Sequence, residues 1–193
     1  MNPKIDYTLY FVTDREIMTS NSIEECVKQA ILGGYMVVQL KEKTASSREF
    51  YETALKVREI TNRLNVPLII DDRVDITSAV DADGIHLGQN YLTYEVVRKN
   101  IDENKIIGIS ASSLKEAITA AEAGADYLGV GAMFTTDTKK DVNYVTMDEL
   151  RKIREKVSIP IVVIGGISKK TIPLFKGTGV DGIAYSFCYC FTK

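Results

Sequence analysis

The sequence has little of what would take it out of the ordinary globular class. It carries no excess of charge, with 24 basic against 26 acidic side chains and a net −2. Proteins that bind nucleic acid usually present a basic excess on one face, so nucleic acid is not the expected partner. Its longest apolar runs, such as 160–166, are about seven residues, against the roughly 20 that a membrane span needs. The opening residues Met1, Asn2, Pro3, Lys4 and Asp6 form no basic-then-apolar leader, and a cytoplasmic location is the expectation. Three cysteines, Cys26, Cys188 and Cys190, neither pair nor show a zinc spacing, and read as reduced thiols. Linkers, low-complexity tracts and charge runs are absent as well, which leaves one domain over residues 1–193. A chain of this size buries roughly 70% of its unfolded surface and needs no disulfide or structural metal to supply a core.

What is there is regular. Short β-branched runs occupy 9–13, 36–40, 67–71, 84–87, 105–109, 127–131, 160–164 and 182–185, eight candidate strands. Between them apolar residues recur at spacings of three and four: Ile23, Val27 and Ala30; Phe50, Ala54 and Val57; Leu114, Ala117, Ile118 and Ala121; Leu150, Ile153 and Val157. That is the period of amphipathic helices covering a sheet. Ser22 with Glu25, Ser46 with Glu49, Ser113 with Glu116 and Thr146 with Glu149 each predict a capping box, the hydroxyl taking the N3 amide and the Glu reaching back to the N-cap amide. Gly33, Gly34 and Gly124 stand where the preceding helices must stop.

Eight βα alternations with right-handed crossovers fold either as a doubly wound open sheet or as a closed barrel. The count favours a (β/α)8 TIM barrel. The dinucleotide fingerprint of the open sheet is missing, because Phe134 stands where Gly129 and Gly131 would need their third glycine, and no Walker-type phosphate loop occurs.

In such a barrel the chemistry sits where strands leave for βα loops. The second exit carries Gln39, Leu40, Lys41, Glu42 and Lys43. Alternation puts Gln39, Lys41 and Lys43 on one face, opposite Val38 and Leu40. Amines on an inward face are costly unless an anion meets them, the rival being lysines that snorkel to solvent. The third exit ends in Asp71-Asp72-Arg73, adjacent carboxylates suited to Mg²⁺ or, alternatively, to a helix start salted by Arg73. The only histidine, His86, lies inside the fourth strand, where a hydrogen-bonded structural role is the commoner one. Ser110 and Ser112 follow the fifth strand, and Thr136, Asp137, Thr138, Lys139 and Lys140 follow the sixth, hydroxyls and amines that read as a phosphate cradle. Gly165, Gly166 and Ser186 close the round at positions where barrels often hold a phosphate through backbone amides. Two anion sites in one mouth suggest two phosphorylated substrates.

Taken in order, 9–14, 39–43, 71–75, 84–89, 108–110, 124–127, 136–139 and 164–167 resemble the motifs of the thiamine-phosphate synthase family over almost the whole chain. The resemblance implies joining of a hydroxymethylpyrimidine diphosphate to a thiazole phosphate with loss of pyrophosphate, the leaving group departing before the thiazole nitrogen attacks. It implies Mg²⁺ on Asp72. Gln39 to Lys43, Asp71, Ser110 and Lys139 would hold the pyrimidine diphosphate, with Lys43, Ser110 and Lys139 nearest the chemistry. Thr136, Asp137, Thr138, Gly166, Ser186 and Phe187 would hold the thiazole phosphate.

Four positions depart from the family pattern. Lys41 replaces an Arg and loses its bidentate fork. Asp71 replaces an Asn, Tyr91 a second carboxylate, and Phe187 a serine, with Ser186 one place early. A carboxylate about 4 Å from one pyrophosphate charge is opposed by about 4 kcal/mol at an effective dielectric near 20, so Asp71 is expected on the metal beside Asp72. Two rivals follow. One is a thiazole tautomerase-like relative, disfavoured by Ser112 where that activity has a histidine. The other is a degenerate, non-catalytic binder of phosphate ligands. Spread over eight units, 193 residues leave about 24 each, a small allowance for a barrel. The chain ends so soon after the eighth strand that a truncated or missing eighth helix is expected, with a homo-oligomer covering the exposed wall.

Overall fold

The structure is a computed structural model and describes residues 5–18, 22–135 and 144–186. Thr136, Asp137, Thr138, Lys139 and Phe187 lie outside the described residues, as does any eighth helix. Eight parallel strands, β1 (Leu9–Val12), β2 (Val37–Leu40), β3 (Leu68–Asp71), β4 (Gly84–Leu87), β5 (Ile106–Ala111), β6 (Tyr127–Val130), β7 (Ile161–Val163) and β8 (Gly182–Tyr185), close into a barrel in sequence order, β8 pairing back onto β1. This is the expected TIM barrel. The difference that matters is at β5, which runs two residues past its predicted end. Ser110 is therefore a strand residue, in register with Gly129 of β6, rather than part of a loop.

Alternation along each strand sorts the side chains into two layers. Phe11, Val38, Leu40, Leu68 and Ile70 point outward and form one core with α1 (Ile23–Leu32) and α2 (Ser47–Arg63). Ile107, Ile109, Leu128, Val130, Ile161 and Val163 do the same on the opposite side with α5 (Leu114–Ala123) and α6 (Met147–Lys156). Tyr7, Tyr10, Val12, Val37, Ile69, Ile106, Tyr127 and Val162 fill the interior. Two large rings fit there because small residues face them. A Cβ on Gly108 would sit 2.1 Å from Cζ of Tyr127, and one on Gly129 would sit 2.8 Å from Cε1 of His86. Glycine at these two inward positions is what admits the rings.

Short helices α3 (Val74–Ala79) and α4 (Tyr94–Arg98) complete six α-helical crossovers, while the connection after β7 holds only a 3₁₀ turn at Ile172–Phe175. Pro173 stands in that turn, and Gly177 and Gly179 follow at φ 77°, a sequence that withholds helix propagation. Of the four predicted capping boxes only Ser46 and Glu49 are reciprocal. Ser22, Ser113 and Thr146 do accept the N3 amide. Glu25 instead meets Gln29, Glu116 meets Ser112, and Glu149 takes the amide of Leu114 on the neighbouring helix. Other donors, two of them four residues away and one on the neighbouring helix, compete successfully for a carboxylate whose local gain is small.

The N-terminal foot of the barrel is pinned three times by one device. Asp83, Asp126 and Asp181 each precede an even-numbered strand and accept an amide from the first or second residue of the strand before, Leu68, Ile107 and Ile161, at 2.7–2.8 Å. Each is paired with an arginine: Arg58 at 2.5 Å, Arg98 at 3.4 Å and Arg154 at 3.2 Å. Cys26 is fully buried in the outer core, and no helix among the described residues is long and apolar enough to cross a membrane.

Candidate active site

At the opposite, C-terminal end the barrel opens into a cavity of about 470 Å³ floored by Tyr10 and Tyr127. The second exit supplies Gln39, Lys41, Glu42 and Lys43 to its wall. Leu40, which the resemblance grouped with them, does not line it: alternation turns that side chain into the outer core, where it is fully buried. Thr13 at the β1 exit holds the next strand in place, its Oγ1 accepting from the Lys41 amide at 2.9 Å and donating to the Lys41 carbonyl at 3.3 Å. Arg15 donates to Oε2 of Glu42 at 2.7 Å, while Oε1 of Glu42 is buried with no hydrogen-bond partner.

Consecutive residues of a strand face opposite ways, yet Asp71 and Asp72 both line the cavity. The backbone explains it. Asp72 sits at φ 63°, in the left-handed region, which re-aims its side chain toward the carboxylate before it. Aspartate tolerates that conformation better than most residues, though it still costs of order 1 kcal/mol. Asp72 Oδ1 accepts from the Gly88 amide at 2.9 Å. Asp71 Oδ1 accepts from Gln39 Nε2 at 2.6 Å. Burial pushes Asp71 above the ordinary carboxylate value, against the pull of Lys41, Gln39 and Lys43. Asp72 is raised too, by burial first and by the Asp71 charge second, with Gly88, His86 and the Tyr91 hydroxyl holding it down. Tyr91, where the resemblance expected a second carboxylate, gives Asp72 a hydroxyl donor.

His86 bridges two neighbours, Nδ1 lying 2.9 Å from the Tyr127 hydroxyl and Nε2 2.9 Å from Ser110 Oγ. Gln89 Nε2 donates to the Ser110 carbonyl at 2.6 Å. On the far wall Ser186 and Gly165 reach the cavity. Gly166 is not part of the lining: at φ 62° it lies against the β6 exit, where a Cβ would come 2.4 Å from the Thr135 carbonyl oxygen. The sequence reasoning missed Tyr10, Tyr127, Thr13 and Arg15. Tyr10 and Tyr127 were absorbed into strand bodies, although Gly108, which makes room for Tyr127, was a signal that a large ring points inward.

Among the described residues no three His, Cys, Asp or Glu side chains converge on one metal position. Asp71 and Asp72 nevertheless fit Mg²⁺, which takes one or two carboxylates and fills its remaining positions with water and phosphate oxygens. Two adjacent carboxylates, both raised by burial and Asp72 further by the charge of Asp71, form a site that a cation would relieve.

Closed βα barrel, blind cavity at the C-terminal mouth, paired carboxylates facing paired lysines: these define a TIM-barrel protein with a site for small anionic molecules. The family model of thiamine monophosphate synthase matches residues 9–187, and the chain belongs to that family. Thiamine-phosphate synthase of Clostridium botulinum (strain Eklund 17B / Type B) is 59% identical over 184 residues, 95% of this chain and 86% of that protein. The Clostridium beijerinckii protein of the same name is 57% identical over 184 residues, 95% and 88% of the two chains. Among solved structures, thiamine phosphate pyrophosphorylase from Pyrococcus furiosus superposes with a TM-score of 0.85 at 42% identity, covering 93% of this chain and 85% of that one.

Proposed function

We propose that the protein is a transferase that condenses hydroxymethylpyrimidine diphosphate with hydroxyethylthiazole phosphate, giving thiamine phosphate and pyrophosphate. The observation that carries the reading is the cavity itself, in which Asp71 and Asp72 stand among the wall residues Lys41 and Lys43, in a chain matched to the family over nearly its whole length. The chemistry needs a leaving polyanion stabilised more than it needs a nucleophile, and fixed charges aimed at developing charge are the largest usual source of such stabilisation.

Lys41 and Lys43 meet the diphosphate oxygens and compensate the charge that grows as the C–O bond breaks. Asp72 and Asp71 would hold Mg²⁺, which would add charge neutralisation for the leaving diphosphate. Gln39 and Ser110, deeper in the well, orient the pyrimidine. Lys139, with Thr136 to Thr138, Ser186 and Phe187, is assigned to the phosphate ends of the substrates by family resemblance; Gly166, set back from the cavity wall, is not. The closed floor of Tyr10 and Tyr127 limits the water that can reach the cation left when pyrophosphate departs, so that the thiazole nitrogen is the favoured nucleophile. The expected self-association concerns the wall beyond Ser186, outside the described residues.

Incubation of purified protein with both phosphorylated precursors, with and without Mg²⁺, tests the reading. Thiamine phosphate and pyrophosphate in equal amounts, formed only with the metal, are the expected result. No product, with thermal stabilisation by thiazole phosphate alone, would overturn it in favour of a ligand-binding protein.

A further inference from the structure

Six polar side chains inside the barrel form one unbroken row, each from a different strand. Gln39 Nε2 lies 2.6 Å from Asp71 Oδ1, and Gln39 Oε1 lies 2.9 Å from the Tyr10 hydroxyl. The Tyr10 and Tyr127 hydroxyls are 2.7 Å apart. His86 follows at 2.9 Å from Tyr127, and Ser110 at 2.9 Å from His86. We propose that Asp71 sets the direction of this whole row, fixing neutral His86 as the Nδ1–H tautomer and leaving Ser110 with only its lone pairs to offer the cavity.

The protons along the row can be placed one at a time. A carboxylate accepts and does not donate, so the amide nitrogen of Gln39 must face Asp71 and its oxygen must face Tyr10. Tyr10 has one proton and gives it to that oxygen; toward Tyr127 it can only accept. Tyr127 then gives its proton to Tyr10 and can only accept from His86. A neutral imidazole carries one N–H, which this places on Nδ1, and the bare Nε2 takes the proton of Ser110. Burial drives both phenols well above their ordinary value, so neither tyrosine leaves the row by ionising.

An amide at position 71 would remove the lock. Asparagine can donate to a flipped Gln39, after which Gln39 donates to Tyr10, Tyr10 to Tyr127, Tyr127 to Nδ1, and Nε2–H to Ser110. Every contact survives with its direction reversed. The carboxylate is therefore what distinguishes two otherwise equivalent rows. Its chemical consequence, which rests on the proposed substrate site, is selectivity at Ser110. The hydroxyl oxygen there accepts, and the ligand it favours carries an N–H donor at that depth, because a ligand acceptor would face lone pairs and lose its hydrogen bond. Tyr10, Tyr127 and His86 are positioning residues acting through Ser110.

The chain has one histidine, which makes the test direct. Full-length, ligand-free protein labelled with ¹⁵N-histidine is examined by long-range ¹H–¹⁵N correlation, at a pH above which the ring signals no longer change. The expected spectrum shows a protonated Nδ1 and a bare Nε2. Tyr127→Phe should lose the Nδ1–H pattern, and Asp71→Asn should convert it wholly or partly to Nε2–H. Nε2–H in the unaltered protein overturns the proposal without need of any variant, as does an Asp71→Asn spectrum identical to the parent's. Because no substrate is present, these outcomes stand whether or not thiamine phosphate is ever formed.

Discussion

Asp71 is held by Gln39 before any ligand arrives, its Oδ1 2.6 Å from the Gln39 amide nitrogen. One carboxylate oxygen is thus engaged inside the barrel, while the group as a whole still lines the cavity beside Asp72, a division that suits the proposed metal role. Asp71→Asn is expected to weaken Mg²⁺ dependence and activity together, by roughly 10–100-fold, the usual range for disturbing a metal site's close support. Titration of rate against Mg²⁺ checks it. Tighter diphosphate binding with an unchanged metal requirement would sink the metal role.

Lys41 is positioned by Thr13 through both its amide and its carbonyl. Removing a charge-assisted hydrogen bond costs about 1.5–3 kcal/mol, so Lys41→Ala should raise KM for the pyrimidine diphosphate by roughly 10–150-fold. Lys41→Arg should recover most of that. Steady-state kinetics with the thiazole substrate saturating separates the two variants.

Arg73 holds Asp75 below its ordinary value of 3.8, chiefly through their hydrogen bond. A carboxylate lowered in the folded state binds fewer protons there than in the unfolded chain, so the stability it contributes is present above pH 3.8 and is lost as pH falls through the folded value. The pair is largely exposed, which limits it to a few tenths of a kcal/mol. Thermal melts of the parent and Asp75→Asn should differ slightly at neutral pH and converge below pH 3.8; a gap that widens on acidification would contradict the assignment.

The two ends of the barrel should respond differently to substitution. Asp181→Ala takes a partner from Arg154 and from the Ile161 amide at the foot, and should lower stability by about 1–2 kcal/mol with KM unchanged. Gly129→Ala puts a methyl group 2.8 Å from the His86 ring, and should cost about 1–3 kcal/mol and impair activity as well. Urea unfolding beside kinetics on both variants makes the comparison.

Much of this was legible in the residues. The strands fall within two residues of their predicted bounds because β-branched runs between capped helices leave few alternatives. The exits were legible for the same reason that they function, since Lys41, Asp71 and Ser110 are polar where a strand body should be apolar. The interior row was not. Tyr10 and Tyr127 count as apolar in any periodicity, and their hydroxyls acquire meaning only when β1 and β6 face one another across the closed barrel. The re-aiming of Asp72 was equally hidden, because a left-handed residue that is not glycine leaves no compositional trace. Glu149 shows the converse, a local motif outbid by the Leu114 amide of the neighbouring helix, which sequence spacing does not reveal.

The tyrosine floor has one more consequence. Tyr10 and Tyr127, backed by Tyr7, Ile69 and Ile106 below, close the described cavity toward the foot of the barrel. On the proposed assignment of substrates, the reactant seated against Ser110 and Gln39 enters ahead of the one nearer the mouth, and the pieces leave in the reverse order of their depth, a queue imposed by the architecture before any affinity is considered.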